Sequence, residues 1–122
     1  MLPRILTAIL ALKGAAGVAA GAYGAHAGGF DAYDQSLWET AVLYTLTHAA
    51  VGVAVSLAIH RLGLLGILSA LAFTFGIAGF AGSLMVLAHS GTSLGLVAPI
   101  GGTLLILGWV FLALGALIKR VR

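Results

Sequence analysis

Charged and polar breaks divide this chain of 122 residues into four long apolar segments. A helix needs roughly 20 residues to cross a hydrocarbon core of about 30 Å, and each segment is that long or longer. The segments are continuous, without the alternation of polar and apolar residues seen in membrane barrels, which favours helices. We therefore predict a single all-α membrane domain, an up-and-down four-helix bundle. The predicted helices cover residues of about 5–25, 40–59, 62–88 and 99–118.

The composition excludes an ordinary soluble domain. Hydrophobic residues make up 61% of the chain and charged residues only 7%, against about 25% charged in soluble domains. A chain this short cannot bury so much apolar surface internally, so the lipid bilayer is its expected partner. The net charge of +3 does not indicate nucleic acid, because most basic residues flank the apolar segments. Cysteine is absent, which excludes disulfides and thiolate chemistry.

The basic residues predict how the chain crosses the membrane. With four spans, five of the six lie on one side: Arg4, Arg61, Lys119, Arg120 and Arg122. The connections of the other side, 28–37 and 89–98, contain no Lys or Arg. The positive-inside rule then places both termini in the cytoplasm, and we expect a bacterial inner membrane. Lys13 interrupts the first segment, so we expect a membrane helix there and not a cleaved signal peptide.

The connection 26–39 is predicted to be an interfacial loop on the outer side. All three acidic residues, Asp31, Asp34 and Glu39, lie in it. It also contains Tyr33 and Trp38, and these residue types favour the headgroup level. The loop is therefore expected to lie along the membrane surface.

Glycine provides the expected means of helix packing. The chain has 18 glycines, and small residues allow membrane helices to approach closely. Ten of them repeat at helical spacing within the first, third and fourth segments: Gly14, Gly17, Gly21, Gly24, Gly76, Gly79, Gly82, Gly101, Gly108 and Gly115. Packing inside the bundle is the favoured interpretation. A dimerisation face through Gly17 and Gly21 is the alternative.

Polar residues within the spans mark candidate functional positions. Lys13 and His48 both lie near the predicted midplane, where ionisable groups are costly and often functional. Lys13 can instead extend its amine toward the headgroups, and His48 can be neutral and hydrogen-bonded. Thr40, Tyr44 and Thr47 share a helix face with His48. We expect this stripe to face the bundle interior, as helix–helix contacts or as the lining of a ligand pocket.

Catalytic and metal chemistry is not indicated. His26 and His89 lie near the acidic residues, but no tight motif such as H-x-x-x-H occurs, so no metal site and no cofactor are predicted. A haem held by two histidines would need a second one at the depth of His48. No sequence feature supports a haem or quinone pocket. No nucleophile has a base at defined spacing, so no enzyme activity is expected.

Several short motifs resemble those of a known family. They are G-A-Y-G-A-H at 21–26, T-A-x-x-Y-x-x-x-H at 40–48, F-x-G-S-L at 80–84, P-I-G-G at 99–102 and G-W at 108–109. Together they follow the order found in the domain of unknown function 423 family, a transmembrane-protein-256-like group. The resemblance implies a small four-helix bacterial or mitochondrial membrane protein and carries no activity.

The resemblance also selects a recurring polar set, namely His26, Tyr44, His48 and Ser83. The chain departs from the family pattern at two positions. Leu43 replaces an acid before the tyrosine, and Ala98 replaces a threonine before the proline. A charged partner for His48 at position 43 is therefore not expected.

Two functions remain open from the sequence. The first is a non-enzymatic accessory or scaffold subunit of a larger inner-membrane complex, with other membrane subunits or a second copy as partners. The second is a membrane carrier that binds a small molecule, cofactor or ion around Tyr44 and His48. Small size and missing catalytic chemistry favour the first.

Overall fold

The computed structural model describes residues 1–118. It contains four long helices: α1 (Leu2–His26), α2 (Ala32–Leu57), α4 (Leu64–Ser90) and α5 (Val97–Leu117). A one-turn helix, α3 (Ile59–Leu62), lies between α2 and α4. All four long helices are long and apolar enough to span a membrane. The predicted all-α, up-and-down architecture with four spans is confirmed. Lys119, Arg120 and Arg122 lie outside the described residues.

The long helices pack in a row and each contacts the next. α2 lies between α1 and α4, and α4 lies between α2 and α5. Across the described part of the chain, α5 packs extensively against α4 alone, and α1 touches α4 only slightly. The outer helices of the row, α1 and α5, therefore each have a face that no other described helix covers. Both α2 and α5 pack against α4 but not along each other.

The two ends of the bundle along the helix axes differ in charge. We call the end with connections 27–31 and 91–96 the acidic end, because all three acidic residues lie on or near it. The opposite end, with Arg4 and Arg61, is the basic end. Gly63 joins α3 to α4 there with a φ of 66°, and Gly91 ends α4 at the acidic end with a φ of 73°. Both angles favour glycine over residues with a Cβ.

The prediction of an interfacial loop over 26–39 is wrong for most of these residues, which are helical. α2 begins at Ala32, eight residues before the predicted start, and only 27–31 is a connection. Asp31 caps the helix, because its Oδ1 accepts a hydrogen bond of 2.8 Å from the backbone N–H of Asp34. The first two turns of α2 are polar and extend beyond the apolar span. Hydropathy identifies only the apolar part of a helix, which explains the error.

The α1 glycines face α2. A Cβ added at Gly17 would lie 2.9 Å from the Leu46 side chain, and one at Gly21 would lie 3.3 Å from Val42. One added at Gly24 would overlap the Trp38 ring. Contacts within the chain therefore occupy the stripe that the dimer interpretation would need. Gly17 is buried and Gly21 is partly buried, so these two glycines pack within the bundle.

The closest helix–helix approach joins α4 and α5. A Cβ added at Gly101 would overlap the backbone of Phe80, and one at Gly79 would lie 3.1 Å from the Gly101 Cα. At Gly108 it would lie 2.6 Å from the Phe73 ring. Gly82 differs, because no atom lies within 4 Å of its added Cβ. Backbone contact at Gly101 therefore sets the position of α5 relative to α4.

The core lies along α4. Phe73 and Ala70 are fully buried there, and Leu10 and Ala41 pack in from α1 and α2. Buried Ser69 donates a hydrogen bond of 2.7 Å to the Gly108 carbonyl of α5. Many large apolar side chains of α1 and α5, such as Leu12, are instead exposed. Exposed apolar side chains on membrane helices are the surface that contacts lipid.

Candidate functional site

A groove lies between α2 and α5. It has a cavity volume of about 860 Å³. The groove forms because α2 and α5 both pack against α4 and diverge on one side of it, with Phe80 of α4 lining the space between them. Its lining comprises Leu43, Tyr44, Thr47, His48, Phe80, Ala98, Pro99, Gly102, Thr103, Leu105, Ile106 and Trp109.

His48 and Trp109 connect the two walls of the groove. The Trp109 indole N–H donates a hydrogen bond of 3.0 Å to Nε2 of His48. Because the indole nitrogen can only donate, Nε2 must accept, and the ring proton lies on Nδ1. Nδ1 then donates to the Tyr44 carbonyl at 2.7 Å. The histidine is therefore a neutral Nδ1–H tautomer with both nitrogens in use, and neither is left to ligate a metal or haem.

Aromatic rings hold His48 in this orientation. Its ring stacks on Tyr44 at a centroid distance of 5.5 Å and an interplanar angle of 19°. The rings of Phe73 and Trp109 meet it at 5.6 and 5.8 Å. His48 is 7% exposed. Packing of this kind fixes the imidazole, so His48 acts here as a hydrogen-bonded connection between α2 and α5.

Two hydroxyl groups of the groove are free to bind something else. Among residues 1–118, neither the Tyr44 Oη nor the Thr47 Oγ1 has a hydrogen-bond partner, although both side chains line the groove. Tyr44 is 38% exposed, and its ring lies 4.8 Å from that of Phe80. Thr103 on the opposite wall donates to the Pro99 carbonyl at 2.8 Å. The groove is otherwise apolar and has no charged side chain in its lining.

The groove occupies the half of the span nearest the acidic end. On α5 its lining begins at Ala98, in the first helical turn, and ends at Trp109. At the helical rise of 1.5 Å per residue, this distance is about 16 Å. The Trp109–His48 hydrogen bond joins α5 to α2 at the end of the groove farthest from the acidic end, which we call its deep end. The groove is therefore short, closed toward the basic end and open sideways to lipid.

The predicted polar set is only partly brought together. Tyr44 and His48 are adjacent, but the Ser83 hydroxyl donates to the Gly79 carbonyl of its own helix at 2.5 Å, and Ser83 does not line the groove. His26 is exposed at the end of α1. Thr40 donates to the Ser36 carbonyl at 2.9 Å, outside the groove. The predicted stripe thus reduces to Tyr44, Thr47 and His48, and it faces a lipid-exposed groove more than the interior.

A second aromatic cluster closes the acidic end. Tyr23, Phe30, Trp38 and His89 have ring centroids 5.1–6.3 Å apart. The Trp38 N–H donates to the Ala20 carbonyl of α1 at 2.7 Å. A cavity of about 420 Å³ lies beside this cluster. Within residues 1–118, no three His, Asp or Glu side chains are grouped closely enough to hold a metal ion.

Sequence reasoning gave Trp109, Phe80 and Thr103 no functional role. Phe80 and Trp109 each belong to a motif of the family resemblance, which was the available signal. Their role was missed because α5 is almost uniformly apolar. Its sequence therefore does not indicate which of its faces is turned toward α2.

Comparison with known proteins gives a consistent family assignment. A family model described as "Protein of unknown function (DUF423)" matches residues 20–102, more than half of the chain. A UPF0382 membrane protein of Staphylococcus saprophyticus is 35% identical over 115 residues, covering 86% of this chain and 90% of the relative. A UPF0382 membrane protein of Haemophilus influenzae is 35% identical over 111 residues, covering 88% and 90%. No solved structure gives a significant match.

Proposed function

Because the chain belongs to the DUF423 family of membrane proteins, whose description carries no activity, we propose its function from the groove. The proposal is a non-enzymatic membrane protein that binds a lipid-soluble small molecule between α2 and α5. The observation that carries it is a groove of about 860 Å³ lined by apolar side chains and two hydroxyls without partners. Ligand pockets commonly enclose about 300–1,000 Å³, with few polar groups in an apolar lining.

Binding without catalysis agrees with the chemistry of the lining. His48 is the only histidine there, and hydrogen bonds occupy both of its nitrogens. A general base needs a free lone pair within reach of the proton that it removes. The hydroxyls of Tyr44 and Thr47 have no base beside them. These features support a groove that holds and orients a molecule without reacting with it.

A groove-filling variant tests the proposal. Gly102 lines the groove, and a Cβ added there meets only Phe80, at 3.5 Å, so Gly102→Leu should fill space without breaking the fold. Gly82→Leu is the matched control, because Gly82 has open space around it and lies outside the groove. Lipid-soluble compounds should raise the melting temperature of the wild type and of Gly82→Leu, but not of Gly102→Leu. Equal shifts in all three proteins would contradict the proposal.

A second candidate is an accessory or scaffold subunit of a larger inner-membrane complex. The open ends of the helix row favour it. Only 17% of the α1 span and 22% of the α5 span are buried, against 50% of the α4 span. Such faces suit other membrane subunits as well as lipid. Blue-native electrophoresis of native membranes tests this candidate, and migration only as a free monomer or small oligomer would exclude it.

Both candidates assume an orientation with cytoplasmic termini in a bacterial inner membrane. The positive-inside rule supports it, since Arg4 and Arg61 lie at the basic end and connections 27–31 and 91–96 contain no Lys or Arg. The absence of native cysteine makes the test simple. A membrane-impermeant thiol reagent applied to intact spheroplasts should label Ser93→Cys and not His60→Cys. The reverse pattern would invert the orientation.

A further inference from the structure

From the lining of the groove we infer the chemical class of its ligand, an inference that rests on the proposed binding function. The ligand is a neutral, lipid-soluble compound with a flat ring that carries carbonyl oxygens, as in isoprenoid quinones. Its ring lies between α2 and α5, and its apolar tail leaves sideways into the bilayer. Four properties of the groove lead to this class.

The first property is the absence of charge. Among residues 1–118, no Asp, Glu, Lys or Arg lines the groove, and His48 is neutral with both ring nitrogens in hydrogen bonds. Taking an unpaired charge out of water is strongly unfavourable. A charged ligand would bear this cost without a counterion, so the groove selects neutral molecules.

The second property is an excess of hydrogen-bond donors. The Tyr44 and Thr47 hydroxyls lie three residues apart on α2, which places them on neighbouring positions of one helix face. Both line the groove, and neither has a partner in the described part of the chain. In hydrocarbon no water satisfies such groups. A ligand that supplies acceptor oxygens would pair with both, whereas a plain hydrocarbon would leave them unpaired.

The third property is the set of aromatic walls. Tyr44 on α2, Phe80 on α4 and Trp109 on α5 all line the groove. The Tyr44 and Phe80 rings are tilted by 44° to each other, and Trp109 lies on the opposite wall. Edge or offset contacts between aromatic rings stabilise a complex beyond the effect of burial alone. A planar ring would gain these contacts, and a saturated chain would not.

The fourth property is the depth of the Thr47 hydroxyl in the membrane. This depth distinguishes a ligand with a ring carbonyl from a lipid with an ester group. Exposed Glu39 marks the polar part of α2, and Thr47 lies eight residues further along, or about 12 Å into the span. The ester groups of glycerolipids remain near the headgroups and would not reach Thr47. The ligand must therefore carry its acceptor oxygens into the hydrocarbon core, as a lipid-soluble quinone does.

The length of the groove argues against a partner helix as its occupant. A membrane-spanning helix is about 30 Å long, whereas the groove extends about 16 Å along α5, from Ala98 to Trp109. The Trp109–His48 hydrogen bond lies at its deep end. A spanning helix would extend well beyond this bond, whereas a ring with a flexible tail matches the length of the groove.

Quenching of tryptophan fluorescence by a short-tailed ubiquinone tests the inference. The chain has two tryptophans, and Trp109 lines the groove while Trp38 does not. We expect saturable quenching in the wild type and in Gly82→Leu, and only linear, collisional quenching in Gly102→Leu. If Gly102→Leu does not fold, Leu43→Trp replaces it, because Leu43 is an exposed residue of the lining. For this variant, binding is measured as the ligand-induced shift in melting temperature.

Variants of the two donors provide the specific test. Tyr44→Phe and Thr47→Val should each weaken quinone binding about 3- to 10-fold, the range expected for one lost hydrogen bond. Tyr33→Phe is the matched control, because Tyr33 is 66% exposed and lies outside the groove. Unchanged affinity in both donor variants would overturn the inference.

Two further probes separate this inference from the proposed function. If a carbonyl-free isoprenoid hydrocarbon or a diacylglycerol stabilises the wild type but not Gly102→Leu, and the quinone does not bind saturably, the ligand class is wrong while the binding function stands. If no probe distinguishes the wild type from Gly102→Leu, the inference and the proposed function both fail.

Discussion

Two aromatic clusters in this protein contain similar residues but differ in what they leave open. At the acidic end, Trp38 donates to the Ala20 carbonyl, and its ring packs against those of Tyr23 and Phe30. In the groove, Trp109 donates to His48, and the rings lie around an open space. The first cluster therefore ties α1 to α2 and the connection 27–31, whereas the second braces two helices that do not otherwise pack together. Similar rings thus border a cavity of about 420 Å³ in one place and the candidate groove of about 860 Å³ in the other.

The largest expected effect comes from the contact that sets the groove walls. In Gly101→Ala the new Cβ would overlap the Phe80 backbone, which cannot move as a side chain can. We expect a loss of about 3 kcal/mol in unfolding free energy, at the upper end for overpacked sites, together with loss of groove binding. Gly82→Ala, with open space around it, is the control and should change stability by less than about 0.5 kcal/mol. Denaturant titration in detergent micelles measures both, and equal stability of the two variants would refute the packing account.

Gly24→Ala applies the same test to the acidic end. Its Cβ would overlap the Trp38 ring, a side chain that can shift at the cost of its hydrogen bond to Ala20. We expect a loss of about 2 kcal/mol in unfolding free energy with groove binding unchanged. Thermal unfolding and quinone quenching measured on the same variant separate the two regions. Loss of ligand binding in Gly24→Ala would show that the clusters are not independent.

The hydrogen bond between Trp109 and His48 should have a measurable coupling energy. His48→Phe and Trp109→Phe each leave a polar partner unpaired, and each should cost about 1–2 kcal/mol. A double-mutant cycle should give a coupling of about 0.6–1.7 kcal/mol, the range for hydrogen bonds between membrane helices. Additive effects, with no coupling, would mean that the bond does not hold α5 to α2.

The smallest stability effects should come from the free hydroxyls. Tyr44→Phe and Thr47→Val remove groups without protein partners, so unfolding free energy should change by less than about 0.5 kcal/mol. Ser69→Ala is the comparison, because its buried hydroxyl bonds to the Gly108 carbonyl and its loss should cost about 1 kcal/mol. If the two groove variants destabilise the apo protein as much as Ser69→Ala does, the hydroxyls serve the fold and not a ligand.

Much of the architecture was predictable from hydropathy, because lipid requires about 20 apolar residues per span. The start of α2 was not predictable in this way. Its first turns contain Asp34 and Glu39 and depend on a cap at Asp31, a local feature that a hydropathy window cannot detect.

The groove itself could be predicted only as a polar stripe. Tyr44, Thr47 and His48 share a face by helical spacing, but spacing on one helix does not say which helix lies opposite. The row order of the helices and the phase of α5, which bring Trp109 to His48, depend on packing across three helices. Gly82 shows the same limit, because it continues the spacing of Gly76 and Gly79 and yet a Cβ added to it would meet no neighbouring helix within 4 Å.

Native mass spectrometry of protein released from its own membranes tests the central claim most directly. The wild type and Gly82→Leu should both carry one neutral, lipid-soluble molecule that Gly102→Leu lacks, since only the last variant fills the groove between α2 and α5. The mass of the released molecule would identify it. The same bound mass in all three proteins, or none in any of them, would contradict the claim that this groove is a binding site.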